Sequence, residues 1–203
     1  MIPEPIKQFI SSLHQDNISS FSSVGGGSIN DAYRYSFGNT EFFLKYNNEI
    51  EGIIEKEVEG LNEIAKLNCI TTPEVIAFEK IDGYEVLVLA FVTGGLKTEM
   101  TWVNFGKQLA EMHIKPAPYY GWHQSNFIGS LQQSNEPTSD FIDFFIKQRL
   151  KPQIKLAQQQ QYFSFSEVNQ FENLFQKLDT ILPDTEPSLV HGDLWSGNFI
   201  IGE

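Results

Sequence analysis

"LVHGDLWSGNFIIGE" (189–203) places His191, Asp193 and Asn198 within one short stretch. A loop of this length can return the Asp193 and Asn198 side chains to one cleft. A carboxylate in such a place can accept the proton of an attacking hydroxyl, and an amide oxygen beside it can hold a magnesium ion. The plain alternative is that the two residues stabilise a turn. His191 fits the orienting of the loop by hydrogen bonds better than the role of base. Whether this stretch carries chemistry depends on what accompanies it.

Upstream, the chain changes character once. Residues 4–13 read as a short amphipathic helix, followed by three β-prone runs at 20–24, 32–37 and 41–46. Gly38-Asn39 supplies turn chemistry between the last two. A strong helix is predicted over 50–67, then a strand pair, "PEVIAFEK" and "YEVLVLAFV", turned at Asp82-Gly83. From Thr101 onward the pattern is mainly helical: "TWVNFGKQLAEMHI", "DFIDFFIKQRL" and "EVNQFENLFQKLDTIL". Ser164 three residues before Glu167 has capping-box spacing. The reading is an α+β chain of two lobes, with 1–93 mainly antiparallel β plus one key helix, and 94–203 mainly helical. A hinge is placed near 90–95, and a cleft between such lobes is a natural ligand site.

Bulk properties narrow the partners. The formal net charge of −12 disfavours a phosphate backbone, so nucleic acid is not an expected partner. No apolar run approaches the length that spans a bilayer, and the start lacks a basic region leading into an apolar stretch. One cysteine, Cys69, forms no intramolecular disulfide and suits the cytoplasm. No His, Cys and carboxylate set has structural zinc spacing. His113 reads as a satisfied histidine in the core or at a cleft edge, and His14 and His123 carry no argument.

Three further features lie in an order that matters. Gly25, Gly26, Gly27 and Ser28, in "GGGSINDAYRY", lie between two strands, which fails the strand–glycine–helix context of dinucleotide and P-loop motifs. Glycines between strands can instead let the backbone close over nucleotide phosphates, or simply form a flexible turn. Lys45, in "EFFLKYN", shares a strand face with Phe43, opposite Phe42 and Leu44. A lysine on the strand after a glycine loop can reach α- and β-phosphates; it can also merely snorkel. Its partner is Glu57, near the middle of the apolar stripe formed by Ile50, Ile53, Ile54, Leu61, Ile64 and Ala65. A carboxylate placed there costs on the order of several kcal/mol unless a cation meets it. With Asn198 spaced from Asp193 as in the kinase loop H-R-D-x-x-x-x-N, glycines, lysine, glutamate and loop follow one another in the expected order.

These residues resemble the fructosamine/ketosamine-3-kinase family, part of the wider aminoglycoside phosphotransferase-like group with a protein-kinase-like fold. "HGD" with a following Asn identifies only the wider group. "HGDLWSGN", "GGGSINDAYRY", "GWHQSNFIG" (121–129) and "DFFIKQRLKPQIKLA" (143–157), in family order, are more specific. The resemblance implies ATP-dependent phosphorylation of the 3-hydroxyl of a ketosamine, a fructosamine or ribulosamine, free or on a protein amine, and hence protein deglycation. It makes Asp193 the base, Asn198 a magnesium ligand, and Lys45 with Glu57 the phosphate-positioning pair. Backbone around Leu89, Ala90, Phe91 and Val92 would meet adenine. Trp195 would pack on the sugar, or else serve core packing.

Two departures follow from the same comparison. Ser28 stands where some members carry a cysteine, so thiol redox behaviour at that position is not expected. The family's main magnesium aspartate follows the catalytic loop on a later strand, and the sequence stops at "NFIIGE" before it. A truncated second lobe, an incomplete metal site, and a last strand at 198–201 without its hairpin partner and with an exposed edge are therefore expected. Two alternatives stand beside the ketosamine reading: an aminoglycoside- or choline-type phosphotransferase, and a non-catalytic nucleotide-binding remnant.

Overall fold

The computed structural model describes residues 1–16, 18, 20–25 and 29–202. By internal packing the chain separates into two compact units, 1–112 together with 191–203, and 113–190.

The first unit is built on a five-stranded antiparallel sheet: β1 (Phe21–Ser23), β2 (Asp31–Phe37), β3 (Thr40–Asn47), β4 (Val75–Ile81) and β5 (Tyr84–Ala90), in spatial order β1-β2-β3-β5-β4. The β4–β5 turn carries positive φ at both Asp82 (49°) and Gly83 (81°), the backbone that matches the twist of the flanking strands. Period-two alternation gives the sheet two different faces. Tyr35, Phe42, Leu44, Tyr46, Val86 and Val88 pack with Ile2, Ile6 and Ile10, burying one stripe of helix α1 (Glu4–His14). Buried aliphatic side chains of this kind each contribute roughly 1.5–3 kcal/mol of transfer free energy. Lys45, Asn47, Glu85 and Leu87 share the other face, with Lys45 opposite Leu87 and Asn47 opposite Glu85.

Helix α2 (Ile53–Lys66) contacts β3, β4 and β5. It begins three residues later than its sequence period suggests. Gly52, at its N-cap, has no capping side chain; the Glu85 carboxylate accepts from the N–H groups of Gly52 (2.9 Å) and Ile54 (3.0 Å) instead. A carboxylate at a helix N-terminus satisfies orphan donors and complements the dipole. Helix α3 (Glu99–Ile114) follows. Met112 turns inward and is buried, which leaves His113 on the outside. His113 is therefore exposed rather than a core histidine.

The second unit holds a hairpin, β6 (Asn126–Ile128) with β7 (Leu131–Gln133), and a helical run: α4 (Phe141–Phe144), a π-helical turn (Phe145–Leu150) and α5 (Lys151–Gln159). Pro152 has no N–H for the Gln148 carbonyl, which accepts from Arg149 Nη1 at 3.0 Å instead. Arg149 also donates to the Ser134 carbonyl at 2.7 Å and to Asn135. Asn135 Nδ2 in turn donates to Gln124 O at 3.0 Å and Asn126 Oδ1 at 2.9 Å, tying the hairpin to the helix. Burial lowers the Arg149 pKa from its ordinary value. Helices α6 (Phe165–Phe175) and α7 (Leu178–Ile181) complete the unit, α6 opening on the Ser164/Glu167 capping box that the sequence predicts.

Candidate active site

Strand β3 delivers Lys45 and helix α2 delivers Glu57. The lysine Nζ meets Glu57 Oε2 at 2.6 Å, so the carboxylate on the apolar stripe has its cation. The two side chains keep 23% and 31% of their exposure. A pair at that depth adds little to stability, yet its ammonium remains reachable from solvent.

Leu89 and Ala90 end β5, and Phe91 and Val92 follow. The Ala90 N–H donates to Glu74 O at 2.9 Å and the Phe91 N–H to Glu41 O at 3.2 Å. Those two amides are engaged within the unit. Arg34, paired with Glu41, lies 4.5 Å over the Phe91 ring. Gly25 is exposed with open space where a Cβ would stand. Gly26, Gly27 and Ser28 lie outside the described residues.

The stretch 191–202 belongs to the same compact unit as Lys45 and Glu57. Asn198 N donates to Trp195 O at 2.9 Å, closing a turn. Its Nδ2 donates to the Asp193 backbone carbonyl at 2.7 Å and to Asp193 Oδ2 at 2.9 Å. The Asp193 N–H points to His191 Nδ1 at 3.4 Å, a long bond that orients the loop. Asp193 itself is exposed. The loop thus returns carboxylate and amide to one place.

Asn198–Ile201 does not form the strand expected of it. The Asn198 side chain folds back on Asp193, and the segment contacts the sheet-side backbone only at its end. There Gly95 N donates to Ile201 O at 2.6 Å and Gly94 bridges Gly202. Phe199 supplies a second anchor, stacked on Phe105 (4.7 Å between centroids) and edge-on to Trp102 (5.7 Å), both on α3. Sequence reasoning missed this aromatic clasp; its only signal is an aromatic residue immediately after Asn198.

Trp195 is 53% exposed, so it is not core packing. Its indole lies over Gly197, where an added Cβ would stand 2.5 Å from two ring carbons. Glycine at 197 is what allows the ring to lie there.

For magnesium, the donor set is thin. With Asn198 Nδ2 turned to Asp193, its Oδ1 is the amide atom left to face a cation. A hard divalent ion prefers six oxygens in octahedral array. Among the described residues no group of three His, Cys, Asp or Glu side chains stands together as a metal site. These residues alone do not fit the ion. Among the described residues, no helix is long and apolar enough to cross a membrane.

Several known proteins resemble this chain. A family model described as fructosamine kinase matches residues 1–203. The chloroplastic protein-ribulosamine 3-kinase of Arabidopsis thaliana is 34% identical over 206 residues, covering 98% of this chain and 62% of its own length. The chloroplastic protein-ribulosamine 3-kinase of Oryza sativa subsp. japonica is 34% identical over 203 residues, covering 96% of this chain and 58% of its own length. The chain thus spans less than two thirds of the length of these relatives. The crystal structure of a "putative fructosamine-3-kinase" from Thermobifida fusca superposes with a TM-score of 0.84 at 24% identity, covering 96% of this chain and 68% of that one. A thermostable mutant of the aminoglycoside phosphotransferase APH(4)-Ia in its apo form gives 0.61 at 12% identity, covering 96% and 66%. At those identities the likeness establishes the fold: the two-lobed, protein-kinase-like α+β class.

Proposed function

The chain belongs to the fructosamine kinase family, and from that premise we propose that the whole protein transfers the γ-phosphoryl group of ATP to the 3-hydroxyl of a ketosamine. The substrate class is a fructosamine or ribulosamine, free or carried on a protein amine, and the reaction is the first step of protein deglycation. Residues 1–93 act as the nucleotide-binding lobe and 94–203 carry the catalytic loop.

The observation that carries this reading is the loop closed by Asn198 on Asp193, in one compact unit with the 2.6 Å Lys45–Glu57 pair. Asp193 accepts the proton of the sugar 3-hydroxyl as that oxygen attacks the γ-phosphorus. The new bond joins sugar oxygen to phosphorus, the bond to ADP breaks, and the proton leaves on the carboxylate. Lys45, steadied by Glu57, positions the α- and β-phosphates. Gly25 to Ser28 cover the phosphates, and backbone from Leu89 to Val92 meets the adenine. The exposed Trp195 indole offers an apolar face to the sugar ring beside the base. Asn198 Oδ1 would be one magnesium ligand, and by itself it is not a site. The buried cysteine, Cys69, and the acidic composition suit the cytoplasm.

Purified protein with ATP and a fructosyl-amine tests the reading through coupled measurement of ADP release. Fructosamine-dependent ADP release with phosphate on the sugar 3-oxygen is the expected result. Turnover on aminoglycosides or choline-like alcohols without any on ketosamines would replace the substrate class. Nucleotide binding with no acceptor phosphorylated would make the protein a binding module.

A further inference from the structure

Asn47 and Glu85 face each other across the β3–β5 register, and each is only 5% exposed. An amide side chain offers two donors and two acceptor lone pairs, and Asn47 uses all four. Its Nδ2 donates to Ile29 O at 2.8 Å and to Asn30 Oδ1 at 2.9 Å. Its Oδ1 accepts from the N–H groups of Glu49 and Ile50, both at 2.8 Å. Glu85 takes the next group of amides, those of Gly52, Ile54 and, at 3.4 Å, Glu55, with Lys80 Nζ at 3.3 Å as counter-charge.

Ending a strand requires far less. An Asx turn satisfies one backbone N–H two residues on and leaves the side-chain amide to water. Here two buried polar groups, which would cost free energy if unpaired, are spent on five backbone N–H groups between 49 and 55. That segment leads directly into Glu57. The other end of Asn47 holds Ile29 and Asn30, the residues that follow the glycine segment in sequence. Lys45 lies two residues before Asn47 on the same strand face. One buried amide therefore joins the lysine strand, the segment that leads into the glutamate helix and the residues that follow the glycine segment in sequence.

We propose that Asn47, working with Glu85, is a positioning residue for nucleotide binding: it seats the start of α2 so that the Glu57 carboxylate meets Lys45. It touches no substrate and acts through Glu57. This rests on the reading of Lys45 and Glu57 as the phosphate-positioning pair, but not on the identity of the phosphoryl acceptor.

The test is a double-mutant cycle on the affinity for a fluorescent N-methylanthraniloyl ATP, with cooperative thermal unfolding as the check of folding. Asn47→Ala and Glu57→Gln are each expected to weaken binding by about tenfold. The double variant is expected to bind within about twofold of Glu57→Gln alone, because the seat has nothing left to position. Losses that multiply to about a hundredfold would overturn the proposal, as would a folded Asn47→Ala protein that binds like the parent. If Asn47→Ala does not fold, Glu85→Gln takes its place. It turns one of the two acceptor oxygens that meet the Gly52, Ile54 and Glu55 N–H groups into an amide NH2, and the same two outcomes decide. A parent protein that binds no nucleotide overturns the positioning role outright. A parent that binds nucleotide and phosphorylates no ketosamine overturns the proposed function and leaves the cycle to be read on its own.

Discussion

The Asn198 side-chain amide donates to both the backbone carbonyl and the carboxylate of Asp193, at 2.7 and 2.9 Å. One residue thus fixes where the Asp193 carboxylate stands and how it is turned. Asn198→Ala removes both bonds from an exposed loop, where water replaces them at little cost to stability. Its expected cost is in rate, because a misplacement of about 1 Å at a reacting group costs on the order of a hundredfold. Steady-state kinetics should give a kcat lower by about 10- to 100-fold with the melting temperature nearly unchanged. Asp193→Asn, which retains the shape and loses the base, should lower kcat by about 100- to 10,000-fold with nucleotide affinity kept. Parental turnover in Asp193→Asn would remove Asp193 from the chemistry.

Lys45→Met keeps an apolar stem on β3 and removes the charge. The pair with Glu57 is partly exposed, so its loss should change stability little. The KM for ATP should rise by about tenfold or more, and the KM for the ketosamine should stay near its parental value. A matching rise in both constants would mean that Lys45 supports the whole fold of the site rather than the nucleotide.

Lys45 and Glu57 could be paired from sequence because two simple periods meet there. Alternation along β3 and the 100° step along α2 each leave one charged residue beside apolar neighbours, and the 2.6 Å bond joins them. The strand pair turned at Asp82 and Gly83 is legible for a similar reason, since its turn chemistry is local. The start of α2 is not local. Its cap is Glu85, 31 residues beyond Ile54 and brought there only by sheet register, so the helical period alone places the start too early. The β6–β7 hairpin depends likewise on Asn135 and Arg149, whose bonds cross from strand to helix. The π-helical turn follows from Pro152 together with Arg149. A strand after Asn198 is what the family resemblance implies, and residues 199–201 do not form one. The partners of that segment are instead the Phe105 and Trp102 rings and the Gly94–Gly95 backbone.

Gly197→Ala tests whether the indole of Trp195 matters where it lies. An added Cβ would stand 2.5 Å from ring carbons, and the half-exposed indole, not the backbone, is the part able to move. The ring should swing away, changing tryptophan emission while thermal stability shifts by about 1 kcal/mol or less. If the indole packs on the sugar, the ketosamine KM should rise several-fold with the ATP KM unchanged. Unchanged kinetics alongside a changed emission would detach Trp195 from the substrate.

His14, at the end of α1, is half-buried against Tyr35, Phe37 and Phe42, with its Nε2 at 2.9 Å from the Tyr35 hydroxyl and its ring stacked 4.7 Å from Phe37. Burial lowers its pKa from the usual 6.5 and raises that of Tyr35, which favours the neutral form of each. In the unfolded chain His14 takes up its proton near pH 6.5, whereas in the folded chain it does so only at lower pH. Between those values the unfolded state binds more protons, so stability falls as pH falls. The contribution is complete above pH 6.5 and is lost progressively as pH drops through the folded pKa. Thermal melts from about pH 8 to 5 should show a declining melting temperature below the ordinary histidine range. His14→Phe, which keeps a ring against Phe37 and Phe42 but cannot titrate, should flatten that part of the curve relative to the parent. An identical slope in the two proteins would assign the acid sensitivity to carboxylates and leave α1 docked on the sheet independently of pH.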